Sequence, residues 1–219
     1  YQGNVDSRLI NGIYYNSKKV KKDSLFIAIK GFNTDGHKYI SDAIKLGAKA
    51  VLVEDNINID TSIPIIRVQN SRKAMSRIAS NFFGDCSKNL KITGVTGTNG
   101  KTSISYLINH ILKYNNYNTS LLGTLGFYGP TGIKNTGFTT PESIELQNIF
   151  NTLDKGGVTN LNIEISSHSL ALHRVDDVDV DVAIFTNLTR DHLDFHKTFE
   201  NYFKAKLKLF KNLDYNKLA

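Results

Sequence analysis

Between an apolar run and a helical one, the segment Gly94-Val95-Thr96-Gly97-Thr98-Asn99-Gly100-Lys101-Thr102 gathers three glycines, three threonines and a lysine. We read it as fitting the phosphate-loop pattern G-x-x-x-x-G-K-[ST]. Glycines let backbone N–H groups turn inward around phosphate oxygens, and the start of the following helix adds partial positive charge. Lys101 then reaches the outer phosphates, and Thr102 can ligate Mg²⁺. Gly97, Thr98, Asn99, Gly100, Lys101, Thr102 and Ser103 are the expected nucleotide contacts. The competing reading is a glycine-rich turn with an incidental lysine.

Three further positions stand out. On a helix, Lys206 has Phe199, Tyr202, Phe203, Leu209, Phe210 and Leu213 as its neighbours three, four and seven residues away, so it interrupts an apolar stripe. Lys204, Lys208 and Lys211 lie off that stripe. Burial lowers a lysine pKa and favours the neutral amine, the form that reacts with CO₂. A lysine snorkelling past the aromatics to water is the alternative. Glu164 ends the run LNIEI, at the carboxyl edge of what reads as a parallel strand, where ligands gather; a solvated surface glutamate is the plainer option. The guanidinium of Arg174 suits a carboxylate or phosphate, or else a surface salt bridge.

Positioning these groups takes alternating strands and helices. Ser24–Lys30 reads as a buried strand, DGHKYISDAIKLGA as a helix, Lys49–Glu54 and Ile63–Val68 as strands, and Ser71–Phe83 as a helix with Ser71 as N-cap. Gly84–Asn89 reads as a linker. LKITGVTG is then a strand, followed by an amphipathic helix from Lys101 to about Tyr114. NTSLLGTLG is a strand, and Thr140-Pro141 opens a helix with a cap and a first-turn proline. LNIEIS and VDVAIFTNL are strands, and Thr198–Leu213 is the last helix. The expected fold class is α/β: a small N-terminal α/β domain over residues 1–85, then a mostly parallel-sheet P-loop ATP-binding domain over 86–219, truncated at its end.

Composition narrows the function. The 219 residues are 40% hydrophobic and carry a formal charge of +7, but Lys18, Lys19, Lys21 and Lys22 have no interleaved stacking aromatics, which argues against nucleic acid and for a solvated basic face. No run approaches the roughly 20 apolar residues that span a bilayer. No membrane insertion and a cytoplasmic location are expected. The single cysteine, Cys86, forms no internal disulfide. Charge alone would still permit a non-catalytic nucleotide-binding module.

The GTNGKT core resembles the loop of the Mur ligases and of the related folylpolyglutamate synthases. Val5-Asp6-Ser7-Arg8, the FIAIKG…DGHKYI…AIKLGA block, Thr139-Thr140-Pro141-Glu142, EISSHSLALHR (164–174) and FTNLTRDHLDFH (185–196) look like the Mur ligases that extend UDP-N-acetylmuramoyl-dipeptide. The likeness runs from Val5 to Lys206. A folate ligase lacks the uridine-docking block that Val5–Val68 resembles.

The resemblance implies an ATP-dependent ligase of peptidoglycan biosynthesis that adds the third amino acid to UDP-N-acetylmuramoyl-L-alanyl-D-glutamate. A substrate carboxylate becomes an acyl phosphate, which the incoming amine attacks. It implies ATP and Mg²⁺, with Thr102, Glu164, His192 and Lys206 at the metal sites, Lys206 as a carbamylated lysine, and Lys101, Lys206 and His192 as catalytic. Read without the family, His192 fits a loop cap equally well. Val5 and Ser7, beside the Phe32-Asn33-Thr34 turn, would meet the nucleotide of the substrate, and Thr139, Thr140, Ser166 and Arg174 its sugar-peptide. Phe138 and Leu172 depart from the pattern, where the family can have Asn and Gln. His168, His173 and His196 are expected to be structural, with Asp191 and Asp194 shaping the loop around His192. A third domain that selects the amino acid would lie beyond Ala219, so the chain alone is expected to be inactive, with meso-diaminopimelate, L-lysine or another residue all open as the one added.

Overall fold

Four short strands, β1 (Gly12–Tyr14), β2 (Ser24–Ile27), β3 (Ala48–Val53) and β4 (Ile65–Arg67), form a parallel sheet in the order β1-β2-β3-β4. The computed structural model describes residues 10–32, 34–130, 132–214 and 216–219. Parallel strands are covered on both faces and read as continuous apolar runs, as in SLFI and AKAVLV. Phe26, Ile40, Ala43, Val51 and Val53 form the core of this sheet. Strand β2 stops at Ile27, short of Lys30, and the expected helix begins as a 3-10 turn (Gly36–Tyr39) before α1 (Ile40–Lys45). There Gly36 abuts the Ile29 backbone so closely that a Cβ would lie 2.9 Å from Ile29 N.

Helix α2 (Ser71–Phe83) forms where expected, but Ser71 is not its cap. Asn70 accepts from Lys73 N at 2.9 Å, while Ser71 donates N–H and hydroxyl to Glu54 Oε1 at 2.7 and 2.9 Å. A carboxylate at the helix start satisfies donors that the helix itself leaves open.

By packing, the chain divides into residues 1–75 and 76–219. The segment read as a linker is instead a packed 3-10 turn (Cys86–Asn89) of the second unit, with Cys86 and Leu90 in its core and Ser87 Oγ accepting from Asp179 N at 3.2 Å.

The second unit has a six-stranded sheet in the order β10-β5-β9-β6-β7-β8: β5 (Lys91–Thr96), β6 (Thr119–Gly123), β7 (Gly126–Gly129), β8 (Gly132–Lys134), β9 (Asn160–Glu164) and β10 (Val182–Phe185). Strands β10, β5, β9 and β6 are parallel, as expected. The antiparallel β7 and β8 were not read from the sequence. The run NTSLLGTLG breaks after Gly123 and turns back through Gly126 at φ +115, a backbone only glycine adopts freely.

Around the sheet lie α3 (Lys101–Tyr114), α4 (Ser143–Lys155), α5 (Ser167–Ala171), α6 (Leu193–His196) and α7 (Phe199–Lys211). Leu146 and Phe150 of α4, Leu170 of α5 and Leu209 of α7 share a core with Ile92, Leu161 and Ile163 of the sheet. Helix α4 starts at Ser143 rather than Thr140, because the Thr140 hydroxyl is taken by Glu164 O at 2.8 Å and Ser166 N at 3.1 Å. Helix α3 lays a polar face on the sheet: Asn109 Oδ1 accepts from Thr119 Oγ1 at 3.0 Å and Asn162 Nδ2 at 3.4 Å, whereas Leu107 and Ile111 are 61% and 58% exposed. Alternation along β9 accounts for this, since Leu161 and Ile163 face the apolar core while Asn162 and Glu164 face α3. Among the described residues, no helix is long and apolar enough to cross a membrane.

Candidate nucleotide and metal site

Strand β5 ends at Thr96 and α3 begins at Lys101, so the loop between them is 97–100. Its spacing corrects the sequence reading. Five residues, 95–99, separate Gly94 from Gly100, one more than the tested pattern has, and Gly94 sits inside β5 paired with Ala183 and Ile163. The loop glycine is therefore Gly97, at φ +140, where a Cβ would lie 1.9 Å from Thr186 Oγ1. The segment after β10 pins the loop. Thr98 N donates to Asn187 O at 2.9 Å, Asn99 N to Asn187 Oδ1 at 3.0 Å, and Thr186 Oγ1 to Asn99 O at 2.7 Å. With those two amides engaged, the N–H groups of the first turn of α3, at Lys101, Thr102 and Ser103, which a helix cannot satisfy internally, are open to an anion.

Lys101 Nζ donates to Gly97 O at 3.0 Å and Thr98 O at 2.8 Å. Burial holds its pKa below that of an ordinary lysine, with Glu164 and Asp191 opposing the shift. Glu164 is wholly buried, contrary to the solvated option, and collects Thr102 Oγ1 at 2.9 Å, Thr124 Oγ1 at 3.0 Å and Thr124 N at 3.0 Å. Gly123 makes room for it, since a Cβ there would lie 2.1 Å from Glu164 Oε1.

Lys206 does not snorkel. It is 1% exposed, donates to Gly97 O at 2.6 Å and lies 4.6 Å from the centroid of the Tyr202 ring. Its pKa is pushed down to about 7, first by burial and then by the Lys101 charge. Both lysine nitrogens therefore converge on one carbonyl oxygen.

His192 opens α6 in a left-handed conformation at φ +51 and is half-exposed, with its ring edge-on to His168 at 4.7 Å and 6.2 Å from that of Tyr202. Asp191 Oδ1 accepts from His192 N at 2.8 Å, the loop-shaping part expected of it. His196 is buried and shares a hydrogen bond with Ser167 Oγ at 2.9 Å; burial first, then His168 and His192, lower its pKa to about 4. His173 pairs with Asp176 at 2.6 Å.

Thr139 joins the cluster through a 3.1 Å hydrogen bond shared with Thr124. Thr140 packs beneath it on Glu164 O, and Ser166 caps α5 by accepting from Ser169 N at 3.1 Å. Arg174 is buried, not on the surface, and bonds Thr140 O at 2.9 Å and Glu142 Oε1 at 2.8 Å, with its guanidinium 4.8 Å from the Phe138 ring centroid. Leu172 ends α5. Val5, Ser7 and Asn33 lie outside the described residues.

In the first unit, Tyr15, Asn16, Ser17, Lys18, Phe26 and Tyr39 line a cavity of 510 Å³ together with Gly31, Thr34 and Gly36. Asp35, His37 and Asp55 form a cluster in the same unit. There His37 Nδ1 meets Asp35 at 2.6 Å, His37 Nε2 accepts from Glu54 N at 3.0 Å, and Asp55 holds Lys30 at 2.6 Å, so this group is structural.

Residues 95–219 match the Mur ligase middle domain, and residues 9–83 the catalytic domain of the Mur ligase family. The chain belongs to the Mur ligase family. It is similar to the UDP-N-acetylmuramoyl-L-alanyl-D-glutamate--2,6-diaminopimelate ligase of Clostridium perfringens, 45% identical over 98% of this chain and 44% of that protein. The ligase of the same name from Clostridioides difficile is 49% identical over 94% and 42%. A solved structure of such a diaminopimelate ligase superposes with a TM-score of 0.78 at 32% identity, covering 94% of this chain and 42% of that one. MurF ligase from Thermotoga maritima in complex with ADP gives 0.63 at 26%, covering 96% and 45%. The chain thus spans less than half the length of these relatives.

In this chain, three residues that reading the sequence residue by residue passed over take part in the cluster, Thr124 on Glu164 and Thr186 and Asn187 on the loop, and Tyr202, read only as an apolar neighbour of Lys206, lies against it. Thr124, Thr186 and Asn187 carried one usable signal, a position just past the carboxyl end of a parallel strand.

Proposed function

We propose that this Mur ligase chain forms the ATP- and Mg²⁺-binding part of a ligase that adds diaminopimelate, as the third residue, to UDP-N-acetylmuramoyl-L-alanyl-D-glutamate in the cytoplasmic steps of peptidoglycan biosynthesis. The observation that carries it is the meeting of Lys101 and Lys206 at Gly97 O, next to the Thr102–Glu164 pair. The names of the relatives supply the substrates.

The residues fit a magnesium nucleotide. The loop is floored by a glycine that tolerates no Cβ, and the buried Glu164 carboxylate and Thr102 hydroxyl are hard oxygen donors of the kind Mg²⁺ prefers. When bound, ATP supplies the phosphoryl group that makes the substrate carboxylate electrophilic, and Mg²⁺ offsets the gathered negative charge. Lys101 neutralises the outer phosphates. Lys206, as a carbamate, and His192 complete the metal ligands. Gly97, Thr98, Asn99 and Gly100 shape the loop, with Ser103 in the first turn of α3. Thr139, Thr140, Ser166 and Arg174, around Glu164, face the sugar-peptide. The uridine end docks at the cavity of the first unit, with Val5 and Ser7, which lie outside the described residues, as further nucleotide contacts.

The test is ligation by the full-length protein. Incubated with ATP, Mg²⁺, UDP-N-acetylmuramoyl-L-alanyl-D-glutamate and meso-diaminopimelate, it is expected to release ADP and give a UDP-linked tripeptide by mass spectrometry. No tripeptide with diaminopimelate would refute the proposal; product with L-lysine instead would refute the amino acid named.

A further inference from the structure

Tyr202 is 1% exposed and among the largest wholly buried side chains of the protein. A phenylalanine would fill the same space without burying a hydroxyl, and a buried hydroxyl is tolerated only when it is hydrogen-bonded. Its partner is Thr98 of the phosphate loop, 104 residues away in sequence, at 3.0 Å. The Thr98 hydroxyl has one proton and two lone pairs. It donates to Thr189 O at 3.3 Å and accepts from Thr189 N at 3.0 Å, which leaves one lone pair for the Tyr202 O–H. All three capacities of Thr98 thus hold the loop. One turn along α7, Lys206 grips the adjacent residue, Gly97, and lies against the Tyr202 ring.

We infer that Tyr202 is a positioning residue: its hydroxyl fixes the phosphate loop to α7, keeping the nucleotide-binding backbone and Lys206 in one register. The loop is held from two sides, by Thr186, Asn187 and Thr189 after β10 and by α7, and of these the α7 tether is the one that touches Lys206. A loop already held in its binding geometry does not lose that freedom on binding, so the tether raises nucleotide affinity. The inference rests on the ligase reading only in taking the loop to bind ATP.

The experiment is calorimetric titration of the full-length protein with ATP and, separately, with the UDP-linked dipeptide. Tyr202→Phe is expected to weaken ATP binding by roughly 3- to 10-fold, the range of one hydrogen bond. The dipeptide affinity stays within about twofold. Thr98→Val, which removes the bond from the other side together with both Thr189 contacts, weakens ATP binding at least as much, and Tyr202→Phe adds nothing to it in the double variant. Unchanged ATP affinity in Tyr202→Phe, equal weakening toward both ligands, or additive effects of the two substitutions would overturn the inference. A wild-type protein that binds ATP but forms no tripeptide overturns the ligase reading and leaves this one intact.

Discussion

Lys206 is expected to take up CO₂ as a carbamate in the full-length protein. Its amine titrates at about 7, against 10.5 for an ordinary lysine. At pH 7 about half of the Lys206 amines are then neutral, whereas an ordinary lysine has roughly one in 3,000 neutral, an advantage on the order of a thousandfold in the reactive form. The two lysine nitrogens lie no more than 5.6 Å apart, the sum of their 2.6 Å and 3.0 Å bonds to Gly97 O. Two ammonium charges at that distance repel by about 3 kcal/mol at an effective dielectric of about 20, and the same term becomes an attraction once one nitrogen carries an anionic carbamate. The sign in pH follows. A depressed lysine pKa means a neutral amine above about 7 and a protonated one below, so uptake falls as pH drops through 7, whereas an unshifted lysine would need pH near 10. ¹³C NMR with labelled bicarbonate reads this directly: one carbamate resonance in the wild type, absent from Lys206→Ala and kept in Lys204→Ala, whose lysine is exposed and paired with Glu200 at 2.7 Å. No resonance at pH 7.5, or one that survives Lys206→Ala, would refute the reasoning. Ligation is lost with Lys206→Ala and partly restored by short-chain carboxylic acids, which replace the missing metal-ligand oxygens.

Lys101→Ala in the full-length protein is expected to lower turnover by at least about 10²–10³-fold with the melting temperature retained, and near-normal turnover would remove the loop from the reaction. Gly123→Ala drives a Cβ into Glu164, so the Mg²⁺ concentration for half-maximal activity rises about 10- to 100-fold; an unchanged Mg²⁺ dependence would count against Glu164 as a ligand. Lys197 sits at φ +68 and ψ −41, outside the regions an L-residue favours, and Lys197→Gly is expected to stabilise the fold by about 0.5–1 kcal/mol in urea unfolding, where no gain would deny the strain.

Local chemistry was legible along the chain. The glycines and GKT of the loop, the apolar strand runs and the lysine set among aromatics each declare themselves within a helical turn or two, because backbone freedom, burial and periodicity act over that range. Lys206 shows the limit of that range: a cation amid Tyr202, Phe203 and Leu209 reads as either buried or snorkelling, and the fold buries it. Caps were less legible. Asn70 and Ser71 are both good N-caps, and Glu54, 17 residues upstream, decides which one serves.

The sequence by itself determined that a phosphate loop precedes a helix, that strands and helices alternate, and that Glu164 ends a strand. Only the tertiary structure decided which side of α3 faces inward, because its inner face meets Asn162 and Glu164 on a strand reached only after three further strands and a helix. It also decided that Lys206 and Lys101 share the Gly97 carbonyl, that Thr124 stands on Glu164, and that Tyr202 holds Thr98. Apart from the Lys101–Gly97 bond, those contacts join residues 40 to 109 positions apart. No local propensity carries such information, and the parallel sheet order creates it by bringing the carboxyl ends of β5, β6, β9 and β10 to one edge.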